Sequence, residues 1–140
     1  MQPKKEHTAG STISMPGPGI PGSGLRNLNV VADAQFAKLV VDAAVDALEQ
    51  FDSSCKLRVA RYSKTQHGES YIPPRGVKMK GLGTLRDSKL GTGNNDCRAT
   101  LLELEFIDNP KVDALINGAT ANDVRNRIAG SIAKALVDAV

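Results

Sequence analysis

From Pro16 to Gly24 the chain reads "PGPGIPGSG", and no helix or interior strand passes through such a run. Proline lacks the backbone donor and fixes φ, while glycine gives up the most backbone freedom when ordered. The run divides the 140 residues in two. Residues 1–26 read as a flexible Pro/Gly-rich N-terminal segment or loop, with "STISM" before the run as a short strand. Residues 27–140 remain for one domain, long enough to bury a core without disulfides or metal as props.

Within that domain, residues 30–51, "VVADAQFAKLVVDAAVDALEQF", carry apolar residues at helical spacing: Phe36, Leu39, Val40, Ala43, Ala44, Ala47, Leu48 and Phe51. Asn27 or Asn29 can cap this helix, and Asp33, Asp42, Asp46 and Glu49 fall mostly on the opposite face. At the C-terminal end, Asn109 and Pro110 open a short helix, "PKVDALIN", which Gly118 stops. Thr120 or Asn122 starts the last helix, where Val124, Ile128, Ile132, Leu136 and Val140 recur every four residues. A second row runs beside them, through Ala121, Arg125, Ala129, Ala133 and Val137, and both read as core-facing. Between the helical regions, "KLRVARYS" (Lys56–Ser63) alternates as a half-wet strand, and "RATLLELEFI" (Arg98–Ile107) reads as a strand inside a sheet. Residues 64–74 and 89–97 read as loops. Arg75–Ser88 has no settled reading, because its glycines break any helix. Strands alternating with helices predict an α/β fold, a layered mixed or parallel sheet flanked by helices.

Composition narrows the function. Aromatics make up 4% with no Trp, too few for a surface that stacks nucleic-acid bases. The net charge of +3 is scattered and no basic helix or finger accompanies it, so no nucleic-acid partner is expected. No stretch nears the roughly 20 apolar residues of a membrane span, and no secretory signal follows Lys4 and Lys5. The expectation is a chain without a membrane partner, cytoplasmic as synthesised. Cys55 and Cys97 lack metal-type spacing and read as two idle thiols, with one disulfide as the alternative. The two histidines, His7 and His67, form neither a closely spaced pair nor an HExxH motif. Both read first as solvated side chains.

The chemistry converges on "RATLLELEFIDNP". Glu103 and Glu105 stand in a strongly apolar run, and a buried carboxylate is costly unless paired or bound. Strand alternation puts Leu101, Glu103 and Glu105 on one face, with Leu102, Leu104 and Phe106 on the other. One reading is that the acid face is simply wet. The other is positional: carboxylates at the C-terminal end of a strand stand where open α/β sheets bind ligands, and can act as a general base.

This segment resembles the last motif of the zinc-dependent N-acetylmuramoyl-L-alanine amidases, the cell-wall hydrolases of bacteria and their phages. That motif is an apolar strand, a catalytic Glu, one residue, then Phe, a branched apolar residue, a variable residue and Asn. Glu103, Phe106, Ile107 and Asn109 stand in register with it. "PKVDALIN" and "RIAGSIAKAL" are similar to the family's two following helices, and "RGVKMKGLGTLRDSK" to the segment before the catalytic strand. "HTAG" stands where the family keeps the histidine that is its third zinc ligand. The resemblance covers about residues 7–140.

The resemblance implies a hydrolase that cleaves the amide between N-acetylmuramic acid and L-alanine in peptidoglycan, as phage endolysins do. Glu103 would be its catalytic base and His7 a ligand to Zn2+. Glu105 replaces the family's usual glycine. The family's first two zinc ligands and its opening "DxGHGG" motif have no counterpart here, so the chain resembles the C-terminal two-thirds of the catalytic domain, lacking the N-terminal strands. Three expectations follow: another chain supplies the missing part, the gene is truncated, or the domain is a non-catalytic remnant acting as a cell-wall-binding or virion-structural module.

Overall fold

The structure is a computed structural model that describes residues 12–16, 30–55, 75–80, 98–104 and 110–140, with side chains for 31–55, 75–77, 98–104 and 110–140. The elements run β1 (Thr12–Pro16), α1 (Val30–Glu49), β2 (Val77–Lys80), β3 (Leu101–Glu103), α2 (Pro110–Asn117) and α3 (Ala121–Asp138).

The helices carry the fold. They span 20, 8 and 18 residues, against 5, 4 and 3 in the strands. Helix makes up 68% of the residues with described side chains. This overturns the expected layered mixed or parallel sheet flanked by helices. Strand pairing among the described residues is confined to a small patch, ordered β2–β1–β3. The physical reason lies in how few backbone pairs each strand makes. β1 runs parallel to β2 from Ile13↔Val77 to Pro16↔Lys80, and Pro16 has no donor to carry the ladder further. β1 runs antiparallel to β3 over only Thr12↔Glu103, Ile13↔Leu102 and Ser14↔Leu101, not over the whole of Arg98–Ile107. Alternation of strand and helix signals along a sequence counts segments; it does not count the pairs that make a layer. The strand read at Lys56–Ser63 lies outside the described residues, and β2 falls in the stretch that had no settled reading.

α1 is the hub. Ala34, Ala37, Val40, Val41 and Val45 bury against Val77 of β2, with Phe36, Leu102, Ile132 and Leu136 packed around them. Ala44, Ala47 and Leu48 bury against Cys55, Val112 of α2, and Val124 and Ile128 of α3. The small alanines let α1 approach neighbours on two sides at once, so α1 is buried more widely than a one-faced helix. Phe51, expected on the buried face, is 40% exposed. The helix ends because Asp52 turns the chain: its carboxylate accepts from the Ser54 amide (2.9 Å) and hydroxyl (2.6 Å), while the amides of Phe51 and Asp52 both donate to the Leu48 carbonyl. Those bonds hold the Asp52 carboxyl below its ordinary value, the Ser54 hydroxyl contributing most, then the Ser54 amide, with Lys111 adding a favourable charge. Cys55 is buried, and Cys97 lies outside the described residues.

α3 keeps one of its two expected stripes. Val124 and Ile128 are buried and Ile132 and Leu136 pack on the core, but Val140 lies fully exposed. Of the neighbouring row only Ala121 is buried; Arg125, Ala129, Ala133 and Val137 face solvent. The buried face turns the other way, toward Ser131, whose hydroxyl donates to the Ala43 carbonyl of α1 (2.8 Å). Arg125 closes α2 instead: its Nε donates to the Ile116 carbonyl (2.8 Å) and its Nη2 to Asn117 Oδ1 (3.0 Å). A cation on the last carbonyls of a helix satisfies orphan acceptors and opposes the helix dipole.

Candidate active site at the end of strand β3

β3 sorts its side chains as strand alternation requires. Leu102 and Leu104 pack on the core formed by α1, α2 and α3. Leu101, on the other face, is 43% exposed, and Glu103 is half-buried on that same face. Glu103 therefore stands away from the helices, on the last residue of its strand.

The register adds a second fact. Glu103 pairs with Thr12, the first residue of β1. Because the two strands are antiparallel, β1 begins at the end of the sheet where β3 finishes. His7 precedes Thr12 by five positions in the sequence. His7 itself, like Glu105 and His67, lies outside the described residues. Of the two residues singled out for chemistry, the structure places Glu103 alone.

The entry to β3 is anchored by a pair that sequence reading missed. Arg98 Nη1 lies 3.8 Å from Asp33 Oδ1, and Asp33 is only 4% exposed. Asp33 sits in the first turn of α1, where the helix dipole favours a carboxylate. The reading that put it on the solvent face is corrected by the spacing itself: Asp33, Ala37, Val40, Ala44 and Leu48 form one continuous helical stripe, and all five are buried. This pair ties the strand carrying Glu103 to the start of α1.

The arrangement offers one partly buried carboxylate at the end of a strand whose entry is held through Arg98. A carboxylate can act as a general base toward a substrate placed within hydrogen-bond reach. It does not suffice for a metal: among the described residues no group of three or more His, Cys, Asp or Glu side chains could hold an ion. No described helix is long and apolar enough to cross a membrane. In comparisons with protein families, curated proteins and solved structures, the chain matches none.

Proposed function

We propose that the chain acts as a peptidoglycan amidase, cleaving the bond between the lactyl group of N-acetylmuramic acid and L-alanine of the stem peptide. The observation that supports the reading is the pairing of Glu103 with Thr12, which sets the strand end bearing the candidate base beside the first residue of β1. The order of motifs from Arg75 to Val140 supports it.

In this reading Glu103 takes a proton from water as the water oxygen attacks the scissile carbonyl carbon. The tetrahedral intermediate collapses with cleavage of the C–N bond. Glu103 then returns the proton to the departing nitrogen, leaving a lactyl carboxylate and the free amine of L-alanine. Arg98 and Asp33 act as positioning residues, fixing the start of the strand. By the resemblance, His7 would be one ligand to a zinc ion, which would polarise the carbonyl and acidify water. The described side chains do not assemble that site, so the proton steps above are those of Glu103 alone.

A second reading is favoured by the exposure of Leu101 beside Glu103, as expected of an outer, solvated strand face. There the domain is a non-catalytic module that binds the cell wall or serves a virion structure. Incubation with zinc and an N-acetylmuramoyl-L-alanyl peptide separates the two. Release of the L-alanine amine, reduced about 100-fold or more in Glu103→Gln, supports the hydrolase. Intact substrate with both proteins refutes hydrolysis by this chain and leaves the binding module.

A further inference from the structure

Helix α2 ends in the dipeptide Asn117–Gly118, exposed to solvent. Both residues are set by their surroundings. A Cβ at position 118 would collide with the Ala114 carbonyl, so packing demands glycine. The Asn117 side chain works in both directions: its Nδ2 donates to Asp113 Oδ1 (2.8 Å), and its Oδ1 accepts from Arg125 Nη2 of α3 (3.0 Å). A carboxamide makes both contacts; a carboxylate cannot, having no proton to donate. The same dipeptide is chemically labile. Glycine leaves its backbone nitrogen unshielded by a side chain, and the amide carbon of Asn117 belongs to the residue before it.

Hydroxide removes the Gly118 amide proton, and the nitrogen attacks Asn117 Cγ. A new C–N bond forms, the Cγ–Nδ2 bond breaks, and Nδ2 leaves as ammonia with a proton from water. The five-membered imide then takes up water at either carbonyl, giving aspartate or isoaspartate. In the folded chain three contacts oppose the attack. The Gly118 amide proton is engaged by the Ala114 carbonyl (2.9 Å). Asp113 draws the carboxamide back over the preceding turn, the direction in which helical side chains lean and away from the next nitrogen. Arg125 holds the carboxamide oxygen. Attack therefore waits on local opening of the helix end. The product reverses one of these contacts. An acid at position 117 meets Asp113 as a like charge where Nδ2 had donated, and adds a negative charge at a helix C-terminus. An isoaspartyl link also lengthens the main chain between the Ile116 carbonyl, which Arg125 binds, and the Gly118 amide.

We propose that Asn117–Gly118 is a site of spontaneous deamidation, timed by opening of the end of α2, and that its acidic product loosens α2 from α3. The proposal does not rest on the hydrolase reading, since it uses none of the residues around Glu103. It is tested by ageing the full chain at neutral and at mildly alkaline pH beside the peptide DALINGATA, which has the same residues without the fold. Fragment mass spectrometry reads the amide-to-acid mass shift at Asn117, and enzymatic methylation of isoaspartate reads the isomer. Conversion at Asn117 is expected, faster at the higher pH and slower than in the peptide by about tenfold. Arg125→Ala and Asp113→Ala each free one atom of the carboxamide and should each speed conversion by about threefold, with helical circular dichroism retained. If either variant unfolds, the other carries the test. Asn117→Asp, which stands for the product, should lower the melting temperature by about 2–4 °C at neutral pH. No conversion over about thirty half-lives of the peptide, a rate equal to the peptide's, unchanged rates in the folded variants, or Asn117→Asp as stable as the parent would each overturn it.

Discussion

Changing glycine to alanine at positions 118 and 130 should move stability in opposite directions. A Cβ at Gly118 would sit 2.2 Å from the Ala114 carbonyl oxygen and 3.1 Å from its carbon. Attractive contact between such atoms needs roughly 3.5 Å, so the two groups must part by about 1 Å. The obstacle is backbone, not a side chain that can swing away. That same oxygen accepts the Gly118 amide at 2.9 Å, the bond that closes α2, and a movement of this size takes it out of hydrogen-bonding range. Loss of the bond costs about 1 kcal/mol and the residual backbone strain about 1–2 more. Gly118→Ala should therefore destabilise by about 2–3 kcal/mol. At Gly130 the added methyl meets nothing, and the change should stabilise by about 0.5–1 kcal/mol. Urea titrations followed by helical circular dichroism measure both. With about 3 °C per kcal/mol for a chain of this size, the melting temperatures should separate by roughly 8–12 °C. A Gly118→Ala variant as stable as the parent, or a Gly130→Ala variant less stable, would refute the account of how α2 ends and of which face of α3 is open.

Leu48, fully buried between α1, α2 and α3, should cost about 2–5 kcal/mol when changed to alanine, read from the shift in urea midpoint at constant slope. Arg98→Ala, which removes the cation 3.8 Å from buried Asp33, should cost about 1–3 kcal/mol, less than a fully buried pair because Arg98 is partly exposed. The Asp52 carboxyl should titrate below the ordinary aspartate value of about 3.9 in a carbon-detected NMR titration, and Ser54→Ala should move it upward. A lowered folded value means that Asp52 supports the turn at neutral pH; that support fades as pH falls through the folded value, and an unchanged titration in Ser54→Ala would contradict the assigned cause.

The helices were legible because one periodicity over 18 or 20 residues leaves little freedom: α1 runs Val30–Glu49 against an expected 30–51, and α2 begins at Pro110 and stops before Gly118. The end of α1 was misplaced because Asp52 and the Ser54 hydroxyl and amide, a local turn, compete with an apolar pattern that still includes Phe51. The face of α3 was half legible. Alanines at 129 and 133 fit a buried row as well as an exposed one, and only the Ser131–Ala43 bond and the capping role of Arg125 decide the rotation. The sheet was least legible, because strand signals in the sequence say nothing of how many backbone pairs will form. At the candidate site, the motif singles out Glu103 as a proposal, and its outward face follows from alternation with Leu102 and Leu104. Asp33 was missed because its charge outweighed its place on the buried stripe, and Arg98 because its partner is 65 residues away in sequence.

The central claim is that Glu103 is a general base for amide hydrolysis. Incubating the protein with zinc and N-acetylmuramoyl-L-alanyl peptide, and following the L-alanine amine by mass spectrometry, tests it directly. The account predicts release by the parent protein and a rate lower by about 100-fold or more in Glu103→Gln, with the fold unchanged by circular dichroism. Equal release by both proteins, or none by either, would contradict it.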